Sequence, residues 1–271
     1  MPAVSYRVHR RIRSAFVFVL AFLVLAFLVA PIMIVAPLAF SPNSFMHYPL
    51  PGISLKWFQS ALEPYPWMYA LKNSVVVALS TTALATPLGT MAAYGLVSTD
   101  FRYKRALIAI ILSPLAVPVV VIGLGSYFFF ARVGLLGGYA PLIITHTVIA
   151  VPFVFATVLA ALRGIDPELM RAAQSLGARP LRAFRDTVLP LIMPGVLAGA
   201  VFAFVTSFDD VVIAVFLSSP TTLTLPRQLF AGIRDQLDPT IIAVTVFLMA
   251  VSVALLIVVE LLQKLSGRGG P

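Results

Sequence analysis

The chain has 271 residues, of which 60% are hydrophobic and only 11% charged, and it carries a net charge of +9. Soluble domains are about a quarter charged, so this composition excludes a soluble globular protein and points to lipid as the solvent. The positive balance fits the Lys and Arg excess of cytoplasmic membrane loops rather than nucleic-acid binding.

With no cysteine, the chain has no disulfide framework, no thiolate nucleophile and no Cys-ligated metal site. His9, His47 and His146 lie far apart in sequence without ligand spacing, so no metal site is expected.

The first 13 residues hold Arg7, Arg10, Arg11 and Arg13, and Ser14 to Phe40 follows as 27 residues without a charge. A secretory signal core runs to about 7–15 residues, so this longer stretch reads as an uncleaved first transmembrane helix. Pro31 and Pro37 are placed to kink or end it. Residues 41–71 are rich in Pro, Trp and Tyr and read as an extracytoplasmic segment. Within it Ser54 to Leu62 suits a short interfacial helix, with Trp57 and Trp67 as headgroup-level anchors; an ordinary packed loop is the other reading.

Asn73 to Val97 is the second span, rich in small residues such as Ala85, Gly89, Ala92 and Ala93, as tightly packed membrane helices are. Ala106 to Ala131 is the third, interrupted by Pro114 and Pro118, which remove backbone hydrogen bonds at membrane depth. Arg132 to Gly138 is a turn. Tyr139 to Leu162 is the fourth span, with Pro152 and His146 inside it; His146 is expected to bond to a neighbouring helix, a proton carrier being the other reading.

Arg163 to Pro190 is the long polar island between two apolar regions. Asp166 is a good N-cap, and Pro167 suits the first helical position, where a missing N–H costs nothing. Leu169, Ala172, Ala173 and Leu176 recur at i, i+3, i+4 and i+7, which makes one apolar face. Gly177 can end that helix in a left-handed conformation. Pro180 can start a second short helix with Leu181, Phe184 and Val188 as its apolar positions. Arg171, Arg179, Arg182 and Arg185 take the wet sides. An amphipathic loop lying on lipid headgroups is the simplest reading of this pattern.

Leu191 to Leu217 is the fifth span, with Gly195, Gly199 and Ala203 repeating every four residues as a stripe for close helix contact. Ser218 to Asp238 is an outer loop, and Pro239 to Leu262 is the sixth span. Six spans put both termini on one side. Fourteen of the nineteen basic residues, those of the N-terminus, the 102–105 hinge, the polar island and the C-terminal tail, fall on that side. The remaining five, Lys56, Lys72, Arg132, Arg227 and Arg234, fall on the other. The positive-inside rule therefore puts the termini and the polar island in the cytoplasm.

No G-x-x-x-x-G-K-[ST] sequence is present, so ATP binding through a P-loop is not expected, and no catalytic triad or metal cluster suggests a membrane enzyme. A clear internal repeat with buried ionisable relays, as in an ion-driven transporter, is not evident either. The conspicuous polar feature of the fifth span is Ser207-Phe208-Asp209-Asp210. Adjacent carboxylates there cost about 2.5–3.5 kcal/mol each at the centre of a lone helix, so they should face a cavity or partners. They can line a path for a cationic solute, cap a helix end, pair with an arginine such as Arg132 or Arg227, or sit at the outer interface.

Arg171-Ala172-Ala173, three residues, Gly177, nine residues, Thr187, one residue and Leu189-Pro190 resembles the E-A-A-x3-G-x9-I-x-L-P signature of ABC importer permeases. Arg171 stands where that family usually has Glu, and Thr187 where it often has Ile. The Phe208-Asp209-Asp210-Val211-Val212 run and Leu225-Pro226 are similar to the spermidine/putrescine-type branch; the resemblance covers about residues 68–262. It implies an all-α membrane protein, a six-helix bundle of the type I ABC importer permease class. A permease core over 68–262 would hold the coupling loop 163–190, preceded by an N-terminal region 1–67 and followed by a tail 263–271. In such importers the loop docks into a cytoplasmic ATPase through Glu168, Leu169, Arg171, Ala172, Ala173, Leu176, Gly177, Leu181, Phe184 and Pro190. Phe208, Asp209 and Asp210 would belong to the substrate path. The implied setting is the bacterial inner membrane. The implied partners are a second homologous permease, two ATP-binding cassette subunits that bind ATP and Mg, and a periplasmic solute-binding protein. The solute is expected to be a polyamine, with opines, amino acids, ferric iron or anions as alternatives.

Overall fold

A computed structural model of the chain describes residues 2–44, 47–99, 102–166, 168–175, 177–235, 239–251 and 253. Every regular element among them is helical. They group into two compact units, one of residues 64–231 and one of residues 1–63 with those from 232 onward.

The second of these units begins with α1 (Pro2–Val35), followed by a 3-10 turn, Ala36–Phe40. The α-helix stops two residues before Pro37, whose ring cannot continue it, while Pro31 sits inside the helix. From Phe16 to Phe40 the segment is strongly apolar, and its large side chains from Phe16 to Val29 are exposed. A short helix α2 (Lys56–Ala61) occupies the expected interfacial stretch. The Trp57 indole donates to the Ser41 carbonyl at 2.7 Å, so this aromatic is fixed to the end of the first span.

The 64–231 unit is built around three long helices: α3 (Tyr69–Ser98), α6 (Tyr139–Arg163) and α9 (Leu189–Phe208). They pack on one another, and α6 is the central one, with 61% of its apolar window buried. Ala85 and Ala93 of α3 meet Ala150, Val154, Phe155 and Val158 of α6, with Ile192 and Ala203 of α9 closing the core. Small residues permit the close approach. A Cβ at Gly199 would lie 2.6 Å from Thr157 Oγ1 and 3.0 Å from Val154 Cα, and one at Gly195 would lie 2.6 Å from the Ala161 Cβ. The expected Gly195–Gly199–Ala203 stripe is therefore the α9 face that touches α6. Trp67 is buried in this unit at 5% exposure, as the packed-loop reading of its segment has it.

The break expected in the third span is present, and two other sequence expectations change. The third span is two helices, α4 (Lys104–Ala116) and α5 (Val119–Arg132), bent by 96° at Val117-Pro118. Pro118 pushes Val117 into an extended conformation (φ −88°, ψ 131°), as the residue before proline prefers. The fifth span does not run to Leu217. It ends at Phe208, and α10 (Val212–Leu217) restarts after Asp209-Asp210-Val211. The outer loop holds a strongly amphipathic helix, α11 (Leu225–Asp235), which Thr224 and Pro226 signal in the manner of a helix start.

Among the described residues, four helices are long and apolar enough to cross a membrane, or five if α4 and α5 count as one broken span. An apolar helix α12 (Thr240–Val251) is shorter. The remainder of the expected sixth span lies outside the described residues.

Candidate functional site

Two parts of the molecule hold the candidate functional residues: the polar island between α6 and α9, and the break between α9 and α10.

In the island, α7 (Glu168–Ser175) begins as its sequence dictates. The Glu168 N–H donates to Asp166 Oδ1 at 2.9 Å, an N-cap bond that satisfies one of the free donors of the first turn. Gly177 has φ +89°, and the Ala178 N–H donates to the Ala173 carbonyl at 3.2 Å. That pair is a Schellman closure, which a residue with a Cβ makes only under strain. Leu169 is 41% exposed and Ala173 half-buried. The side chains of Arg171 and Ala172 are outside the described set, and Leu176 lies outside the described residues.

Pro180 starts the next element, α8 (Pro180–Ala183), but this is not a separate short helix. It runs through a wide turn, Phe184–Val188, into α9, so that one helix extends from Pro180 to Phe208. In that turn the Leu189 N–H bonds to the Phe184 carbonyl, five residues back. Widening makes room for Pro190, which has no N–H and whose ring would collide with a carbonyl one α-turn earlier. Ala183 and Val188 are buried, whereas Leu181 is 79% exposed. Phe184 turns inward, its ring 4.3 Å from that of Tyr94 on α3. Arg179, Arg182 and Arg185 are exposed, and Arg185 Nε donates to the neighbouring Asp186 at 2.9 Å. The outward surface of the island is thus Leu169 and Leu181 among arginines, and Phe184 anchors it to the bundle.

At the second place a cleft of about 550 Å³ opens between the α4–α5 bend and the end of α9. Pro114, Leu115 and Val117 line it from the bend, Ile149 and Phe153 from α6, and Val205, Thr206, Asp209 and Asp210 from the α9–α10 junction. Asp210 also accepts the Ile213 N–H at 2.7 Å and so caps α10. Two of the sequence alternatives for this residue, cavity lining and helix capping, hold together. Asp209 is exposed to the cleft, while Phe208 stacks on Phe204 at 5.5 Å and lies off the cleft wall. Arg227 does not pair with either carboxylate: it donates to the Ser218 carbonyl and hydroxyl. Among the described residues no Lys or Arg forms an ion pair with Asp209 or Asp210.

Behind Asp210 lies a buried polar contact that the sequence only hinted at. The His146 Nδ1 is 2.7 Å from Ser207 Oγ, and the Ser207 hydroxyl donates to Thr81 Oγ1 at 3.3 Å. His146 thus bonds to a neighbouring helix, as expected, and ties α6 to α9 and α3. The ends of α3 and α6 remote from the polar island are also tied. Asn73 on α3 donates to the Leu223 carbonyl at 2.9 Å and accepts the Tyr139 hydroxyl at 2.5 Å, and Ser74 Oγ accepts the Leu225 N–H at 2.8 Å.

Residues 85–269 match the family described as binding-protein-dependent transport system inner membrane component. The chain belongs to this family. It is 28% identical over 253 residues to the spermidine/putrescine transport system permease protein PotC of Haemophilus influenzae, covering 93% of this chain and 96% of that one. It is 32% identical over 205 residues to the putrescine transport system permease protein PotI of Escherichia coli, with 73% of each chain covered. The fold is also that of a crystallised bacterial ABC transporter that imports the acidic polysaccharide alginate. That likeness has a TM-score of 0.72 at 16% identity, over 94% of this chain and 96% of that one. The chain is therefore an ABC importer permease of the spermidine/putrescine-type branch, a membrane transport subunit rather than a catalytic enzyme.

Proposed function

We propose that this permease forms the path by which an ATP-driven importer moves a polyamine across the bacterial inner membrane. The observation that carries the reading is the pair Asp209 and Asp210 on the wall of a cleft, with no ion pair to a Lys or Arg among the described residues. A polyamine brings several ammonium groups through an apolar region, and fixed carboxylates offset their lost hydration. The branch of the family to which the chain is similar supports the same solute class.

The subunit works with a second permease-type chain, two ATPase subunits that bind ATP and Mg, and a periplasmic binding protein that delivers the solute. Six spans with both termini in the cytoplasm fit the distribution of basic residues and put the 163–190 loop beside the ATPase. The exposed Leu169 and Leu181 among arginines suit insertion into a cleft on that partner. Closure of the ATPase dimer then acts through α7 and on the continuous Pro180–Phe208 helix, whose far end carries Asp209. A rigid helix from the loop to the cleft transmits the displacement without a flexible joint.

The test is ATP-dependent uptake of labelled spermidine and putrescine into proteoliposomes holding the complete complex, with the binding protein outside. Uptake that requires both ATP and the binding protein is expected. The D209N/D210N variant should lower uptake by roughly tenfold or more while assembly is retained, as loss of about 1.4 kcal/mol of cation stabilisation implies. Absence of polyamine uptake, with ATPase activity stimulated by another loaded binding protein, discards the polyamine and keeps the permease.

A further inference from the structure

His146 is fully buried in the middle of α6, and its Nε2 has no hydrogen-bond partner. Its Nδ1 is 2.7 Å from Ser207 Oγ, and the Ser207 hydroxyl donates to Thr81 Oγ1 at 3.3 Å. Its Nε2 lies 3.8 Å from Asp210 Oδ1. A protonated ring carries an N–H on both nitrogens, so it places a positive charge and a donor beside the Asp210 carboxylate.

We infer that His146 and Asp210 form a proton-linked pair that sets the charge of the cleft. With the ring neutral, Asp210 presents its charge to the cleft beside Asp209. With the ring protonated, the imidazolium bonds to Asp210 and cancels one of the two negative charges a cation would meet. The inference rests on reading the cleft as a cation path, and it makes His146 a positioning residue that acts through Asp210.

The other groups near the ring leave this pair in control. From α3 comes Thr81, and from α9 Ser207, neither of which titrates in this range. The only Lys or Arg of α3, Lys72, is nine residues from Thr81, about 13 Å along the helix axis, and α9 holds no charged residue. On α5 the charged residue is Arg132 at the last position, and on α6 itself Arg163, also at the last position. Asp209 and Asp210 are the carboxylates at the junction from which α10 starts.

The chain has no cysteine, so a single thiol at Thr206, which lines the cleft, can report its charge. In the assembled complex carrying T206C, the rates of labelling by a trimethylammonium and by a sulfonate methanethiosulfonate reagent are compared. Their ratio cancels thiol ionisation and access, and partner thiols are subtracted using the complex with Thr206 intact. The cation-to-anion ratio is expected to fall as the pH is lowered from about 8 to about 4, toward the roughly tenfold that loss of one nearby charge implies. H146Q should hold the ratio high and flat, and D210N should hold it low and flat, each checked for assembly by co-purification of all subunits of the complex. If H146Q disrupts assembly, H146N takes its place. A ratio in H146Q that still falls with pH as in the parent complex, or a flat ratio in the parent itself, overturns the inference. Labelling that follows the expected pattern without spermidine uptake upholds the proton-linked pair and discards only the polyamine.

Discussion

The α4–α5 segment and α6 are alike in sequence and opposite in shape. Both are apolar stretches of membrane-spanning length and both contain proline, yet α6 runs unbroken through Pro152 while α4 and α5 meet at 96°. One difference is local. Pro114 and Pro118 are four apart, so Ile110 and then Pro114 lose the N–H that would bond to their carbonyls on successive turns. Pro152 removes a single such bond. The other difference is tertiary. The α6 helix is packed on α3 and α9 along most of its length, whereas α4 has no buried residue to hold it straight. A proline bends a membrane helix where packing does not resist it, and here the bend opens the cleft beside Asp209 and Asp210. Part of the cost at the bend is met locally, since Ser113 Oγ donates to the Ile110 carbonyl at 2.8 Å.

The packing half of this contrast can be broken at Gly199. In G199L the side chain must enter space held by Thr157 and the Val154 backbone, where even a Cβ stands at 2.6 and 3.0 Å. Overpacking of this kind costs about 1–3 kcal/mol and more when backbone must move. The expected result is a large drop in the folded subunit recovered from membranes and a lower Tm of the complex in detergent. A Tm equal to that of the parent would show that α6 and α9 are not held this closely.

The proline half is tested by P114A/P118A, which restores both missing donors. If the two prolines cause the bend, spin labels at Arg105 and Ala131 should move from about 26 Å apart to about 39 Å, the span of a straight helix. Uptake should fall while insertion is unchanged, because Pro114 and Val117 leave the cleft wall. An unchanged label distance would assign the bend to packing from neighbouring helices instead. The smallest effect belongs to S113A, which frees the Ile110 carbonyl for about 1 kcal/mol and should lower the Tm slightly without altering the label distance.

The legible features were those encoded within a few residues. The Asp166 cap, the left-handed Gly177 and the Pro180 start all appear where local chemistry puts them. The Gly195–Gly199–Ala203 stripe also appears as expected, because a row of small residues has one use between packed helices. Less legible were the joins. The sequence suggested a short helix after Pro180 and a fifth span running to Leu217. The structure instead continues through a wide turn before Pro190 and stops at Asp209. Both differences come from a choice between competing hydrogen bonds, in one case around a proline and in the other around the Asp210 side chain.

The sequence by itself determined that the chain is a helical membrane protein, where most of its helices begin, and which family it belongs to. Apolar length, caps, glycines and motif spacing are properties of neighbouring residues. Only the tertiary structure decided that Phe184 turns onto Tyr94, that the proline bend and the two aspartates share a cleft, and that His146 meets Ser207, Thr81 and Asp210. Those partners are 61 to 126 residues apart where hydrogen-bonded. Which face of each helix meets which neighbour is set by close packing of three helices, and no local pattern in the chain contains that information.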